Sequence, residues 1–487
     1  MQGSALQKTF IYAIGAVGNS LALTLLVPYL VHALSQDEFG AWSLAEVTVM
    51  LLSTIVVLGM DVGLMKEYWY ANEQEERRRL IGTILSAQAS LSLLLLGCCF
   101  ALIALPQPHA WLMRIVAIPG AERWVGLVTG ISVLEGQFGL LLTVFRIRES
   151  AATFVALSIG RVVTLVAFAV VGIHIVGGVT GALLGRVLCS AISVVAGAFL
   201  LRKEIVLCLD WRRLRRALGY GLPLVPTGLA SYVLFASDRY FLQSLRGLGT
   251  VAVYTFAYKV ASVVDLLITR PFATDWAPRR FKIASEGSAE KKYATALVAY
   301  LFCATALGSA LIAATPYTYW LLAPPGYAPG MRVVPVIVAA YIIYGLSYPL
   351  NVGIMLKDRT GVLPVIGCVS VAVCIVLNLL LIPNLGMAGA AWATLGSYVI
   401  WTGLIAGVSL KYFPIRYPLA PVWIVVAGGV VASLGQAGIA KTVASEPCVK
   451  SLLLSSGWVC AIVALIAYAL WGRWLEFPSF LRGRTDG

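Results

Sequence analysis

Charge is scarce in this sequence. Only 12% of its 487 residues are Asp, Glu, Lys or Arg, about half the share usual in a soluble domain. No polar stretch exceeds roughly 20 residues, which is too short to fold as a separate soluble domain. Histidine is rarer still. His32, His109 and His174 are the whole supply, and they form no catalytic or metal-binding constellation. The nine cysteines show no CxxC and no metal spacing. Cys98, Cys99, Cys303, Cys368 and Cys374 sit inside apolar runs, as small core residues do. A Walker motif, a Gly-x-Ser-x-Gly elbow and a long catalytic loop are all missing. The chain is therefore not expected to hydrolyse nucleotides or to act as an enzyme, and no cofactor or metal is expected.

Apolar residues fill the space that charge leaves. They make up 60% of the chain, and the mean hydropathy is +0.88. A membrane span needs about 20 of them in a row. By that rule the chain is an all-α polytopic membrane protein with about 14 spans. The first, Thr9–Ala33, is too long for a signal-peptide core and reads as an uncleaved span.

The net charge of +14 does not point to nucleic acid, because the basic residues collect in short loops between apolar runs. One set of loops holds Lys66, Arg77–Arg79, Arg146, Arg148, Arg202 to Arg216, Arg279 to Lys292, Lys357, Arg359 and Arg473 to Arg484. With Lys8, Lys411 and Arg416, that side carries about 25 of the 36 Lys and Arg, which predicts cytoplasmic termini in a cytoplasmic (inner) membrane. The loop Asp210–Leu218, DWRRLRRAL, reads either as a stop signal joining two halves or as an amphipathic segment on anionic lipid.

The stretch Asn378–Tyr398, NLLLIPNLGMAGAAWATLGSY, organises the rest. It ends one apolar helix, turns, and starts another. Pro383 and Gly386 are expected to bracket the turn. Gly389, Ala390, Ala391 and Ala393 give a small-residue face for close helix packing in lipid. This hairpin resembles the signature of polysaccharide flippases in the multidrug/oligosaccharidyl-lipid/polysaccharide exporter superfamily. Asn378, Ile382, Pro383, Gly386, Gly389, Ala390, Ala391, Ala393 and Thr394 match the pattern in place. ASDRYFLQSL at Ala236–Leu245, GYAPGMRVVPVI after Pro325 and LSQDEFGAWSL in the first loop extend the resemblance.

A weak internal repeat accompanies it. GGVTGALLGRV near Gly178 echoes LGMAGAAWATL near Gly386, and LSQDEFGAWSL echoes LRGLGTVAVYTF. The offsets are both about 210 residues, as expected of a duplicated six-helix bundle in parallel repeat. The expected divisions are a first bundle over 1–205, a basic linker over 206–217, a second bundle over 218–412, and a helix pair with a tail over 413–487.

Charges inside spans are the most informative residues, since each costs about 2.5–3.5 kcal/mol on the insertion scale. Glu46, Glu135, Arg161, Arg186, Asp238, Arg239, Lys259, Asp265 and Arg270 lie in or near spans. They must pair, face a wet cavity, or reach an interface. Asp238 and Lys259 stand at matching depth, about 15 Å from the hairpin turn near Leu248. Pairing them would leave Arg239 over, as a cation suited to phosphate. Arg161, Arg186 and Arg270 are candidates to extend that cationic surface, with structural pairing or snorkelling as the plainer alternative.

The resemblance implies a flippase for a polyprenyl-pyrophosphate-linked oligosaccharide, serving O-antigen, lipopolysaccharide or exopolysaccharide assembly by alternating access. Substrate-binding candidates are Arg239, Lys259, Arg186, Arg161 and Arg270. Ion-coupling candidates are Asp238, Asp265 and Glu135. Expected partners are the lipid-linked oligosaccharide and membrane lipids, with a polysaccharide polymerase and chain-length proteins as further candidates. Nucleic acid is not expected. The alternatives are a cation-coupled multidrug antiporter of the same superfamily, and an integral-membrane polysaccharide polymerase or ligase. The latter families look like many-span proteins with a large outer loop; the longest one here, about Pro106 to Arg123, is short.

Overall fold

A computed structural model of the chain describes residues 26–71, 73–104, 124–206, 208–284, 289–442 and 449–470. Among these residues there is no β-strand. Among the described residues eleven helices are long and apolar enough to cross a membrane, and two shorter apolar helices, Leu419–Gly435 and Leu454–Leu470, follow them. The protein is thus a multi-pass, all-helical membrane protein. The first expected span lies mostly outside the described residues, as do the loop Pro106–Arg123 with His109 and the basic tail after Leu470.

Contacts group the chain into two units, Met1–Ala252 and Val253–Gly487. The first unit contains α1 (Gln36–Val57), α2 (Met60–Tyr70), α3 (Gln74–Ala104), α4 (Val125–Ile147), α5 (Ala151–Val176), α6 (Gly178–Leu200), α7 (Trp211–Gly221) and α8 (Val225–Arg246). Ser35 starts α1 with a reciprocal cap. Its hydroxyl accepts from the Glu38 N–H at 3.3 Å, and the Glu38 carboxylate accepts from the Ser35 N–H at 2.9 Å. The chain then breaks in mid-span. Leu58 and Gly59 are both left-handed, with φ of 48° and 71°, so α2 starts afresh as a second half-helix.

One end of this unit gathers the basic loops. Arg148 and Arg78 pair with Glu204 at 3.1 and 3.6 Å, and Arg213 reaches Glu76 at 3.5 Å. Loops predicted from charge to share a side therefore do so within the unit. The expected linker 206–217 is in part helix α7. Asp210 caps it, accepting from the N–H groups of Arg212 and Arg213 at 2.9 and 3.3 Å. Partial desolvation pushes the Asp210 carboxyl up, but these N–H groups and the Arg213 guanidinium outweigh it and hold it below the usual carboxylate range.

The second unit contains the end of α9 (Leu248–Ala261), a π-helical turn (Asp265–Thr269), α10 (Arg270–Ala284), α11 (Ala289–Leu322), α12 (Val334–Leu350), α13 (Val352–Leu356), α14 (Val362–Leu385), α15 (Met387–Tyr412), α16 (Leu419–Thr442) and α17 (Val449–Leu470). The signature hairpin is α14 and α15. Pro383 does not bracket the turn: α14 runs through it to Leu385. A proline forfeits one backbone hydrogen bond but can sit in a helical φ. The turn narrows to Gly386, whose φ of 56° and ψ of −131° suit glycine.

The two hairpins also match in their close contacts. A Cβ on Gly389 would lie 2.3 Å from the Leu381 carbonyl oxygen, and one on Gly181 would lie 2.2 Å from that of Gly172. Both glycines let the returning helix touch the backbone of the first, α14 against α15 and α5 against α6. The sequence echo therefore has a physical counterpart within each unit.

Candidate functional site

Four carboxylates were expected among the spans, and each has an arginine. In the first unit, Arg186 of α6 pairs with Glu46 of α1. Arg161 of α5 pairs with Glu135 of α4. The two pairs join, because Arg186 Nη2 lies 3.7 Å from Glu135 Oε1. Ser190, one turn beyond Arg186 on α6, donates to the same Glu135 oxygen at 3.1 Å. The Arg161 guanidinium also lies 4.9 Å from the Phe138 ring centroid. Four helices thus meet at one charged knot. It is nearly dry, with Arg186 only 7% exposed. Charges at this depth are tolerated when paired and hydrogen-bonded.

A cavity of about 440 Å³ reaches this knot. Glu135 borders it, with Gly136, Gly139 and Thr143 on the same helix. Arg146 stands further along α4. The helix break supplies the facing wall, through Gly59, Asp61 and Val62. Leu224, Val225 and Gly228 at the start of α8 close another side. The cavity therefore carries both signs of charge, and its size suits a small ligand or head group.

Two features here escaped the sequence reading. Asp61, in the first turn of α2, lines the cavity and was not among the charges singled out within the spans. Gln88 of α3 is fully buried, with neither its Oε1 nor its Nε2 partnered among the described residues. A Cβ on Gly136 would lie 2.9 Å from that amide nitrogen, which puts Gln88 behind the cavity wall. The available signal was a lone amide in the apolar run LSAQASLSLLLL.

The remaining predicted residues lie elsewhere. Asp238 and Arg239 of α8 are 2% and 4% exposed, and neither borders the cavity. Arg239 Nη1 sits 3.3 Å from Asp238 Oδ1 and donates to the Phe235 carbonyl at 3.1 Å. Arg239 is therefore not left without a carboxylate, as had been expected. Its side chain is long enough to fold back over its neighbour despite the 100° step of the helix. Lys259 is half-buried on α9.

In the second unit, Arg270 Nε lies 2.8 Å from Asp265 Oδ2 across the π-helical turn. The Thr269 and Tyr300 hydroxyls hold that turn at 3.0 Å. Gly345 makes room for the tyrosine, since a Cβ there would strike its hydroxyl. Among the described residues no three His, Cys, Asp or Glu side chains gather to hold a metal.

The family model described as polysaccharide biosynthesis protein matches residues 5–284. The chain belongs to that family. No curated protein sequence matches it. Among solved structures, this family member is similar to the lipid II flippase MurJ in an inward closed conformation, at 12% identity and a TM-score of 0.71. That match covers 94% of this chain and 98% of MurJ. A MATE transporter in the straight conformation matches at 13% identity and a TM-score of 0.58, covering 83% of this chain and 94% of its own. A MOP-superfamily transporter from Pyrococcus furiosus, described as having a binding pocket of reversed polarity, matches at 13% identity, the same coverages and a TM-score of 0.59. The chain accordingly shares its fold with these proteins.

Proposed function

We propose that the protein is a flippase that moves a polyprenyl-pyrophosphate-linked oligosaccharide from the cytoplasmic to the outer leaflet of the cytoplasmic membrane, for surface-polysaccharide assembly. The observation that carries the reading is family membership over residues 5–284, joined to a fold shared with a lipid II flippase along almost its whole length. The physical need is plain. A charged, sugar-bearing head group meets a steep desolvation cost in bare hydrocarbon, and a polar path through protein lowers it.

In this reading Arg239, Lys259, Arg186, Arg161 and Arg270 supply the cations that meet the pyrophosphate. Glu135 is the preferred coupling residue, with Asp238 and Asp265 as the others. It both borders the cavity and holds Arg161. A proton arriving there would cancel the carboxylate charge and loosen the arginine for an anion. Both termini face the cytoplasm.

The test is purified protein in vesicles with a polyprenyl-pyrophosphate oligosaccharide, its outer-leaflet sugar read by a lectin. Wild type should equilibrate the leaflets. Arg239→Ala should abolish this with normal insertion, and Arg239→Lys should keep part of it. Wild-type vesicles no faster than empty ones would overturn the function, while an active Arg239→Ala would remove that residue from it.

A further inference from the structure

Helix α7 divides into two faces. Leu214, Ala217 and Gly221 are buried. They lie against α2 closely enough that backbone meets backbone. A Cβ on Gly63 would lie 2.3 Å from the Ala217 carbonyl oxygen, and one on Gly221 would lie 2.0 Å from that of Gly59. Arg213 is used internally, donating to the Glu76 carbonyl at 3.0 Å. The apolar face and one arginine are therefore spent inside the protein.

The opposite face is different in kind. Arg212, Arg215 and Arg216 are exposed along it, since positions 1, 4 and 5 of a helix share a side. Trp211 borders that face at 66% exposure, and Leu209 just before the helix is 63% exposed. Arg216, its side chain 66% exposed, reaches Glu67 of α2 only at 3.9 Å, and Arg212 and Arg215 stand with it beside an outward tryptophan and leucine. They precede α8 in the chain, and a basic segment bordering an apolar span is suited to phospholipid head groups. Anionic head groups complement three arginines, while Trp and Leu side chains favour the layer just beneath.

We propose that α7 is a docking surface for anionic phospholipid head groups, and that lipid held there braces the cavity of the first unit. The brace follows from connectivity. Gly59, one wall of the cavity, touches α7 directly. Leu224 and Val225, another wall, follow α7 in the chain. Fixing α7 to the membrane surface therefore fixes two sides of the cavity at once. The amphipathic segment on anionic lipid that the sequence offered as one reading gains a geometry here. The apolar side faces α2, and the basic side faces the lipid. The inference does not depend on the transported substrate.

The test uses the full-length protein in nanodiscs of phosphatidylcholine alone or with phosphatidylglycerol. Amide hydrogen exchange is followed over residues 209–225 and 58–64. Bound phosphatidylglycerol is counted by native mass spectrometry. Both segments should exchange more slowly with phosphatidylglycerol. The triple variant Arg212→Gln, Arg215→Gln, Arg216→Gln should lose that response and bind phosphatidylglycerol roughly a hundredfold more weakly. Arg279→Gln, a basic change in the other unit, should keep it. Equal exchange of wild type in both lipids would overturn the docking surface. A response at 209–225 without one at 58–64 would overturn the brace. A triple variant that still responds would overturn the assignment to these arginines.

Discussion

Arg186 offers the sharpest test of how the first unit tolerates its charges. Arg186→Ala leaves Glu46 without its cation, in a side chain only 15% exposed. Breaking a buried pair by removing one partner costs about 3–5 kcal/mol, because the remaining charge stays desolvated. Arg161→Ala should cost less, about 1–3 kcal/mol. Glu135 would keep the Ser190 hydroxyl at 3.1 Å and Arg186 at 3.7 Å. Removing both members of the first pair, as Glu46→Leu with Arg186→Leu, should return the protein to within about 2 kcal/mol of wild type, since no lone charge remains. The assay is unfolding in mixed micelles of increasing SDS, followed by circular dichroism, for wild type, each single variant and the double. An Arg186→Ala variant within about 1 kcal/mol of wild type would refute the reasoning, for Glu46 would then be hydrated. A double variant no better than the single would refute it too.

Two further outcomes follow from the same geometry. Gly181→Ala and Gly389→Ala should each lower the thermal midpoint and expression, because a Cβ would meet backbone oxygen at 2.2 and 2.3 Å, whereas Gly160→Ala and Gly403→Ala, with nothing within 4 Å, should not; equal effects at all four would remove the close-contact argument. Asp210 sets an acid dependence. Its folded carboxyl lies below its usual value, so its contribution is present above the unfolded pKa, near about 3.9, and is lost as pH falls through the folded value. Asp210→Asn should therefore lose less thermal stability than wild type between neutral pH and about pH 3, and parallel profiles would contradict that sign.

Much of this protein could be read before any coordinates. Span length and hydropathy are local properties of the chain, so they carried over into helices. The glycines at 181 and 389 were legible because close helix packing admits no side chain at one position, and the same constraint appears in both hairpins. The partner of each buried charge was less legible. Glu46 and Arg186 are 140 residues apart in number, and no local spacing links them. Depth matching left Arg239 without a carboxylate because it ignores the reach of an arginine side chain, which brings Arg239 to 3.3 Å from Asp238 beside it. The helix break at Leu58–Gly59 was hidden for a related reason. A left-handed pair inside an apolar run costs nothing in hydropathy, so hydropathy gives no sign of the break.

The pairing of those charges changes what the first unit can do. Arg161 and Arg186 as bare cations would attract any anion and could not be switched. Tied to Glu135 and Glu46, they are balanced at rest, and the balance depends on a carboxylate that the cavity reaches. Neutralising Glu135 would shift the unit toward positive charge where an anion could approach. Replacing Glu135 by Gln fixes that state permanently. The variant should therefore bind inorganic pyrophosphate more tightly than wild type at neutral pH, by isothermal titration in nanodiscs. Weaker binding in Glu135→Gln would mean that the carboxylate holds the arginines in place for the anion, and the switch would have to be sought at Asp238 or Asp265.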